Sequence, residues 1–267
     1  MKKMGIESNV IRQELLEIEE ERNIQILYAA EYGRRARGYP SLDSRYDVRF
    51  IYRKNASERY LNEEYGQNLI NWPSKYQNLD FTGLDIRHFL KLFANCHPAV
   101  YELFLSSINY RQKGSLRARI RSLMPEYFQP VKGSQYYFRY AEKKHIGFSN
   151  SKIQIGALFD MIRGLLACAW IREMNRIPPI SPFEMLDLKI LKEKKYAGFD
   201  AWFREEAERK KRRMEFDLSC SKELLAWLEM LFAQCSEWSR NAASYFPRFV
   251  RPKPEKLEHL LEELLKE

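Results

Sequence analysis

Strand-like segments are confined to the first third of this chain of 267 residues, and helix-like segments fill the remainder. Short apolar runs rich in β-branched and aromatic residues predict strands at 24–30, 46–52 and 79–81. From residue 98 onward, glycine and proline separate segments of helical periodicity. This order predicts an α+β fold, with an amino-terminal α+β domain at 1–110 and a carboxy-terminal helical domain at 111–267.

Composition bears on the partners of the chain. The chain carries 45 Lys and Arg against 36 Asp and Glu, a formal charge of +9. This excess favours polyanionic partners such as RNA, DNA or nucleotide phosphates, although it also favours simple solubility. No run of about 18 apolar residues and no apolar amino-terminal segment is present, so we expect a cytoplasmic protein with no membrane partner.

Cysteine and histidine spacing argues against structural metal. The four cysteines form no CxxC pair, so neither disulfides nor structural zinc are expected. The histidines also lack metal-ligand spacing, and we expect structural or exposed roles for them: His88, His97, His145 and His259.

The segment with the most chemical information joins a predicted strand, a glycine-bearing turn and a second strand. Residues 30–50 read AEYGRRARGYPSLDSRYDVRF. Gly33 allows backbone amides to approach a phosphate closely. On the second strand, alternation places Val48, Phe50 and Tyr52 on one face and Asp47 on the other.

This segment resembles the signature of the DNA polymerase beta-like nucleotidyltransferase superfamily, a Gly-Ser pair followed by Asp-x-Asp. The pattern GxRAxGYPSxDSxYDVRFIY is most similar to the RNA-repair-associated RlaP / YcgL-like family of predicted nucleotidyltransferases. The resemblance extends over residues 10–190 or so. It implies a nucleotidyltransferase-type small mixed sheet with flanking helices, and transfer of a nucleoside monophosphate from an NTP to an acceptor, an RNA end, with Mg²⁺ or Mn²⁺.

Phosphoryl transfer of this kind uses two divalent cations held by carboxylates. The resemblance assigns Asp47 as a catalytic, metal-binding carboxylate and places a further carboxylate on a neighbouring strand. Asp80 and Asp85 are the two candidates for it. We favour Asp80, because it lies on the predicted strand, whereas Asp85 precedes a predicted helix and can serve as its N-cap.

Two departures from the family pattern fall at the chemistry. Arg34 stands where the family has the serine of Gly-Ser, and Arg45 stands where it has the first aspartate. A guanidinium in place of a carboxylate changes the local charge by two units and puts a cation where a cation must bind. Asp43 is too distant to replace that aspartate, about 13 Å from Asp47 along an extended strand, unless the turn folds back. We therefore expect no normal two-metal site.

Several basic residues are candidates for phosphate contacts. Arg35 retains the family's arginine, and it serves either a phosphate or an ion pair with Glu31 or Asp43. Arg34 and Arg45 have the side chain suited to phosphate. The resemblance also implies nucleotide or RNA contacts for Lys152 and Arg163. The full set of predicted nucleotide and phosphate contacts is Gly33, Arg34, Arg35, Arg45, Lys152 and Arg163.

Two later segments have alternative interpretations. The aromatic-basic segment 135–140 could stack nucleobases, but aromatics at helical spacing favour core packing. The basic cluster 207–213 is either a nucleic-acid contact or a solvated helix face. Three hypotheses follow: an active nucleotidyltransferase, an inactive relative that binds nucleotide or RNA, and a scaffold that retains only the fold.

Overall fold

The computed structural model describes residues 6–54, 69–144 and 152–266. His145 lies outside these residues. None of the helices within the described part of the chain has the length and hydrophobicity that a membrane crossing requires.

The order of helices and strands along the chain is that of an α+β fold. The strands are β1 (Ile24–Tyr32), β2 (Tyr46–Lys54), β3 (Leu69–Pro73), β4 (Leu79–Asp85), β5 (Asn109–Gln112), β6 (Lys152–Gln154) and β7 (Asp217–Ser219). The helices are α1 (Ser8–Glu21), α2 (Gly33–Ala36), α3 (Ile86–Ala94), α4 (Pro98–Leu105), α5 (Leu116–Tyr127), α6 (Pro130–Glu142), α7 (Ile155–Met174), α8 (Phe199–Lys211), α9 (Lys222–Arg240), α10 (Ala242–Tyr245) and α11 (Glu255–Lys266). The predicted fold class is confirmed.

The main sheet has five strands in the order β3-β4-β2-β1-β5. The β2–β4 pair is parallel, and the other three pairs are antiparallel. The sheet is therefore mixed, as the resemblance implied. In the parallel pair Asp47 is in register with Asp80, which places these two residues side by side.

The hydrophobic core on one face of this sheet forms under α1. The helix buries Ile11, Leu15 and Ile18, which fall at helical spacing on a single side. Val48, Phe50 and Tyr52 belong to the same core cluster, and this confirms the face predicted for them from strand alternation. Because one face of β2 is buried in this way, the register of β2 is specified strongly, and its alternate residues face away from the α1 core.

Four strands were not predicted from the sequence. β3 and β5 are the edge strands of the main sheet, with 5 and 4 residues, and their burial is incomplete. β6 and β7, of 3 residues each, pair within the region predicted to be wholly helical. Such short strands lack an apolar alternation long enough to recognise, because pairing with a neighbour rather than side-chain burial stabilises them.

The chain divides into two compact units. The first comprises Met1–Ala36, Arg45–Tyr127 and Arg251–Glu267, and the second comprises Arg37–Ser44 and Phe128–Val250. The glycine turn and β2 thus belong to the first unit, while residues 37–44 of the intervening segment belong to the second. Compactness does not test independent folding, so the domains 1–110 and 111–267 stay a prediction.

The second unit is organised around α7, which is buried along most of its length. Helix α6 packs closely against it at Gly164, where a Cβ would come within 2.9 Å of the Ala141 Cβ and the Tyr137 carbonyl oxygen. Tyr137 and Phe138 are 1% and 7% exposed. Burial of these two rings confirms core packing for Tyr137 and Phe138, whereas Tyr136 and Tyr140 of segment 135–140 are partly exposed.

The basic end of α8 carries its own counter-ions. Arg209 pairs with Glu206 at 3.2 Å, and Lys211 pairs with Glu208 at 2.6 Å. These are pairs at helical spacing on the helix surface. The solvated-face interpretation of 207–213 therefore fits Arg209 and Lys211, but not Lys210, which is fully buried and pairs with Glu215.

Candidate functional site

A charged face forms where β2 and β4 run side by side. Because Val48 and Phe50 point into the core under α1, the alternate positions of β2 face the other way, and the first two of them, Asp47 and Arg49, carry charged side chains. We define the charged face by four residues: Arg45, Asp47, Arg49 and Asp80. Asp47 and Asp80 meet through the strand register, and Arg45 lies just before β2 begins.

Each carboxylate of the charged face has an arginine as counter-ion. Arg45 Nη2 lies 2.6 Å from Asp80 Oδ1, and Arg49 Nε lies 3.5 Å from Asp47 Oδ1. The guanidinium of Arg49 also lies 3.5 Å from the centroid of the Tyr32 ring. The Arg45 and Asp80 side chains are 60% and 47% exposed, so their ion pair is solvated and contributes only about 0–1 kcal/mol. A competing anion can therefore displace the Asp80 carboxylate from Arg45 at little cost.

The glycine turn lies against this face. Gly33 has φ +68°, a conformation open to glycine, and it lets β1 turn directly into α2. A Cβ on Gly33 would lie 3.5 Å from Asp47 Oδ2, so the turn backbone and the Asp47 carboxylate are neighbours. Arg34 and Arg35 follow immediately on α2 and are partly exposed. The two arginines therefore follow directly after a backbone that neighbours Asp47, and Tyr46, on whose ring the Arg35 guanidinium stacks, packs against the α1 core.

Arg35 has neighbours of two kinds. Its guanidinium lies 3.8 Å from the centroid of the Tyr46 ring, a cation–π contact. Its charge also acts on Glu31, one of the two ion-pair partners expected from the sequence.

Glu31 is a functional candidate that the sequence reasoning did not single out. The residue is fully buried on β1; Glu31 Oε1 accepts a hydrogen bond from the Asp47 backbone N–H at 3.0 Å, and Oε2 accepts one from the Tyr110 hydroxyl at 2.5 Å. Burial raises the pKa of Glu31 to about 7, although hydrogen bonds from Tyr110 and Asp47 oppose the shift. Glu31 thus holds the backbone of Asp47 from beneath. The sequence feature that could have identified Glu31 is a glutamate within an otherwise apolar predicted strand.

His97, expected from the sequence to be structural or exposed, is an exposed residue directly before α4. Desolvation of its ring, followed by the nearby positive charge of Arg49, lowers the pKa of His97. His97 is therefore under the electrostatic influence of the charged face.

The metal pair implied by the resemblance does not fit these residues. Two-metal chemistry needs several carboxylates converging on the cations, whereas the charged face pairs each of its two carboxylates with an arginine. Across residues 6–54, 69–144 and 152–266, no three His, Cys, Asp or Glu side chains form a group that could hold a metal ion. Because Arg45 Nη2 lies 2.6 Å from Asp80 Oδ1, a divalent cation bound by this carboxylate would have a protein cation as its neighbour.

The other carboxylates considered as ligands have local structural contacts. Asp85 is 7% exposed, and Asp85 Oδ1 accepts a hydrogen bond from the Arg87 N–H at 2.8 Å as N-cap of α3. Asp43, in the second unit, accepts a hydrogen bond from the Glu215 N–H at 3.0 Å. Burial would raise the pKa of Asp43, but hydrogen bonds from Ser41 and the Glu215 N–H outweigh it and lower the pKa. The N-cap alternative for Asp85 matches its contacts.

The two remaining predicted contacts belong to the second unit. Lys152 is exposed on β6. Arg163 is fully buried on α7, where its Nε donates to the Ile180 carbonyl oxygen at 3.0 Å and its guanidinium lies 5.4 Å from the Tyr137 ring centroid. A contact between Arg163 and a ligand would require this interior to open. Nucleotide or RNA contacts by Lys152 and Arg163 stay predictions.

Comparison with known proteins gives three similarities. The family model of RlaP, described as the RNA repair pathway DNA polymerase beta family, matches residues 8–261. The uncharacterized protein YcgL of Bacillus subtilis (strain 168) is 32% identical over 209 residues, which is 78% of this chain and 78% of that protein. The solved structure of a nucleotidyltransferase-like protein from Exiguobacterium sibiricum 255-15 aligns with a TM-score of 0.35 at 12% identity, over 87% of this chain and 77% of its own.

Proposed function

Because the chain belongs to the RlaP family, the RNA repair pathway DNA polymerase beta family, we propose that it binds nucleotide phosphates at the charged face without metal-dependent nucleotidyl transfer. The observation that carries this proposal is the ion pair of Arg45 with Asp80 at 2.6 Å. It supports a site in which protein cations stand where metal ions would otherwise act.

The charge of the site supports phosphate as the ligand. Relative to the family pattern, arginine for serine at position 34 adds one positive charge, and arginine for aspartate at position 45 adds two. Two divalent cations would supply four charges, so these substitutions provide most of that compensation from the protein itself. Guanidinium groups also bind phosphate through two parallel hydrogen bonds, which a metal-free site needs for orientation.

The exposure of the ion pair supports displacement by ligand. Because the Arg45–Asp80 contact is solvated and weak, a triphosphate can accept hydrogen bonds from Arg45 while Asp80 returns to water. Arg34 and Arg35 on α2 lie next to Gly33, whose backbone adjoins Asp47. The triphosphate of a nucleoside, or the phosphates of an RNA end, would lie over this turn.

Calorimetric titration in the presence of a chelator tests the proposal. The purified chain is titrated with ATP, GTP, CTP, UTP and a 5′-phosphorylated RNA oligonucleotide. We expect saturable binding that weakens between 50 and 200 mM salt, because phosphate contacts are salt-dependent. Arg34→Ala and Arg45→Ala should each weaken binding about tenfold, corresponding to one lost charge-assisted contact. Arg248→Ala, which removes an exposed arginine of the second unit, is the matched control and should leave affinity unchanged. Absence of saturable binding to any of these ligands would show the proposal to be wrong.

An active nucleotidyltransferase is the second candidate, favoured by the retained register of Asp47 with Asp80. It is distinguished by incubating the chain with Mg²⁺ or Mn²⁺, labelled triphosphates and RNA. The phosphate-binding proposal expects no transfer of label above that of Asp47→Asn. Transfer that disappears in Asp47→Asn would establish the enzyme instead.

A further inference from the structure

A cavity of about 450 Å³ opens in the first unit beside α3 and α11. None of the four residues of the charged face lines it. This volume lies within the range of about 300–1,000 Å³ typical of small-molecule sites. The cavity is therefore large enough for an organic ligand, and nothing in the proposed function uses it.

The floor and the rim of the cavity differ in chemistry. Leu90, Tyr127 and Leu257 are 5%, 2% and 9% exposed, and they form an apolar floor. Lys91 and Arg251 are exposed at the rim, and Arg251 Nη2 donates to Asn95 Oδ1 at 2.8 Å.

The charge of the lining is unbalanced. Arg87, Lys91 and Arg251 are its cations, and Glu258 is its single acid. A ligand complementary to this cavity has an apolar body and an anionic head.

The Tyr127 hydroxyl is independent evidence for a polar group on the ligand. Its oxygen is buried and has no hydrogen-bond partner among the residues that the structure describes. The Tyr127 ring packs against Phe93 with centroids 5.2 Å apart, and burial raises the pKa of the phenol. A buried hydroxyl without a partner is unfavourable, and a polar atom of a ligand bound in the cavity would satisfy it.

We propose that this cavity binds an amphipathic organic acid whose carboxylate meets the cations of the rim and whose apolar body covers Leu90 and Leu257. A polar group at the far end of that body hydrogen-bonds to the Tyr127 hydroxyl. This site is separate from the proposed nucleotide site, so failure of either leaves the other in place.

Three ten-carbon probes test the proposal by calorimetry on the full chain. Decanoate should bind saturably below its micellar range, and decanol should bind at least tenfold more weakly because it lacks the anionic head. 10-Hydroxydecanoate should bind several-fold more tightly than decanoate, since its terminal hydroxyl reaches Tyr127. Equal affinity of decanoate and decanol, or no saturable binding of decanoate, overturns the proposal.

Arg251→Ala and a control variant test the contact of the carboxylate with the rim. Arg251→Ala should weaken decanoate about tenfold and leave decanol unchanged. Lys253→Ala removes an exposed cation that does not line the cavity, and it should leave both affinities unchanged. If Lys253→Ala weakens decanoate as much as Arg251→Ala does, the effect is general electrostatics and the carboxylate contact is wrong.

The Tyr127 contact has its own readout. Tyr127→Phe should abolish the advantage of 10-hydroxydecanoate over decanoate while leaving decanoate binding unchanged, because only the hydroxyl contact is lost. Retention of the advantage in Tyr127→Phe excludes the role given to this hydroxyl. Far-ultraviolet circular dichroism verifies that each variant is folded.

Discussion

Arg45 and Asp80 set the charge of the charged face at the residue scale. In an exposed position, an ion pair of 2.6 Å contributes little to the stability of the fold, so in the proposed function its role is in ligand binding. Arg45 carries a planar guanidinium, whose positive charge is spread over the whole group. A divalent cation approaching Asp80 meets this charge at contact distance.

We expect Arg45→Asp, combined with Arg34→Ser, to gain Mn²⁺ affinity detectable by calorimetry, because the double change removes two positive charges and adds one carboxylate beside Asp47 and Asp80, a net change of three charge units. Arg248→Asp makes the same change of charge as Arg45→Asp at an exposed position elsewhere and should not gain affinity. An unchanged Mn²⁺ affinity in the double variant would mean that the motif has been aligned wrongly.

Glu31 makes stability dependent on pH. Its pKa is about 7 in the folded chain and close to 4.5 in the unfolded chain. The folded state therefore holds the proton more tightly, and the free energy of unfolding falls by about 3 kcal/mol as pH rises from about 4.5 to 7. In Glu31→Gln, which cannot ionise, this part of the pH dependence should vanish.

Urea unfolding at pH 5 and pH 8 measures this effect. Glu20→Gln, an exposed substitution on α1 in the same unit, should retain the pH dependence of the unmodified chain. An identical pH dependence in Glu31→Gln and the unmodified chain would contradict the assignment.

The parallel pair β2–β4 is the element on which the charged face depends. Gly83 of β4 is in register with Phe50 of β2, and a Cβ on Gly83 would lie 2.2 Å from Phe50 Cε2. Since Phe50 is fully buried under α1, its ring has little room to move. The register that aligns Asp47 with Asp80 thus relies on the absence of a side chain at Gly83, three residues after Asp80 on β4.

Gly83→Ala should lower the free energy of unfolding by about 1–3 kcal/mol through overpacking. Phe50→Leu shortens the obstructing side chain, so the double variant should be less destabilised than the sum of the single variants, by at least about 0.5 kcal/mol. Denaturant unfolding of the four proteins gives this coupling energy. Thr82→Ala is the control: its effect on the free energy of unfolding should add to that of Phe50→Leu. If the effects of Gly83→Ala and Phe50→Leu are also strictly additive, the predicted clash between Gly83→Ala and Phe50 is wrong.

At the scale of the whole molecule, the last helix is part of the first compact unit. Leu257, Leu260 and Leu264 of α11 are buried, and Arg53 Nη1 donates to the Leu264 carbonyl oxygen at 2.7 Å. Arg119 also pairs with Glu263. Helix α11 therefore packs within the same unit as the sheet, whose first strand begins at residue 24.

Leu260→Ala should destabilise the chain by about 2–5 kcal/mol, because the side chain is 4% exposed and its removal leaves a cavity. His259→Ala, whose side chain is 72% exposed, should change the free energy of unfolding by less than about 0.5 kcal/mol. Thermal or denaturant unfolding compares the two. Equal effects would show that α11 is not packed as described.

Sequence by itself was sufficient for the α+β class, the buried face of β2, the N-cap role available to Asp85 and the presence of arginine at positions 34 and 45. These depend on periodicity, turn chemistry and side-chain type, which act over a few residues. Tertiary structure decided that Arg45 pairs with Asp80, that Glu31 supports the Asp47 backbone, and that α11 joins the first unit. Each of these joins residues distant in the chain, and strand pairing and burial, which no local pattern encodes, bring them together.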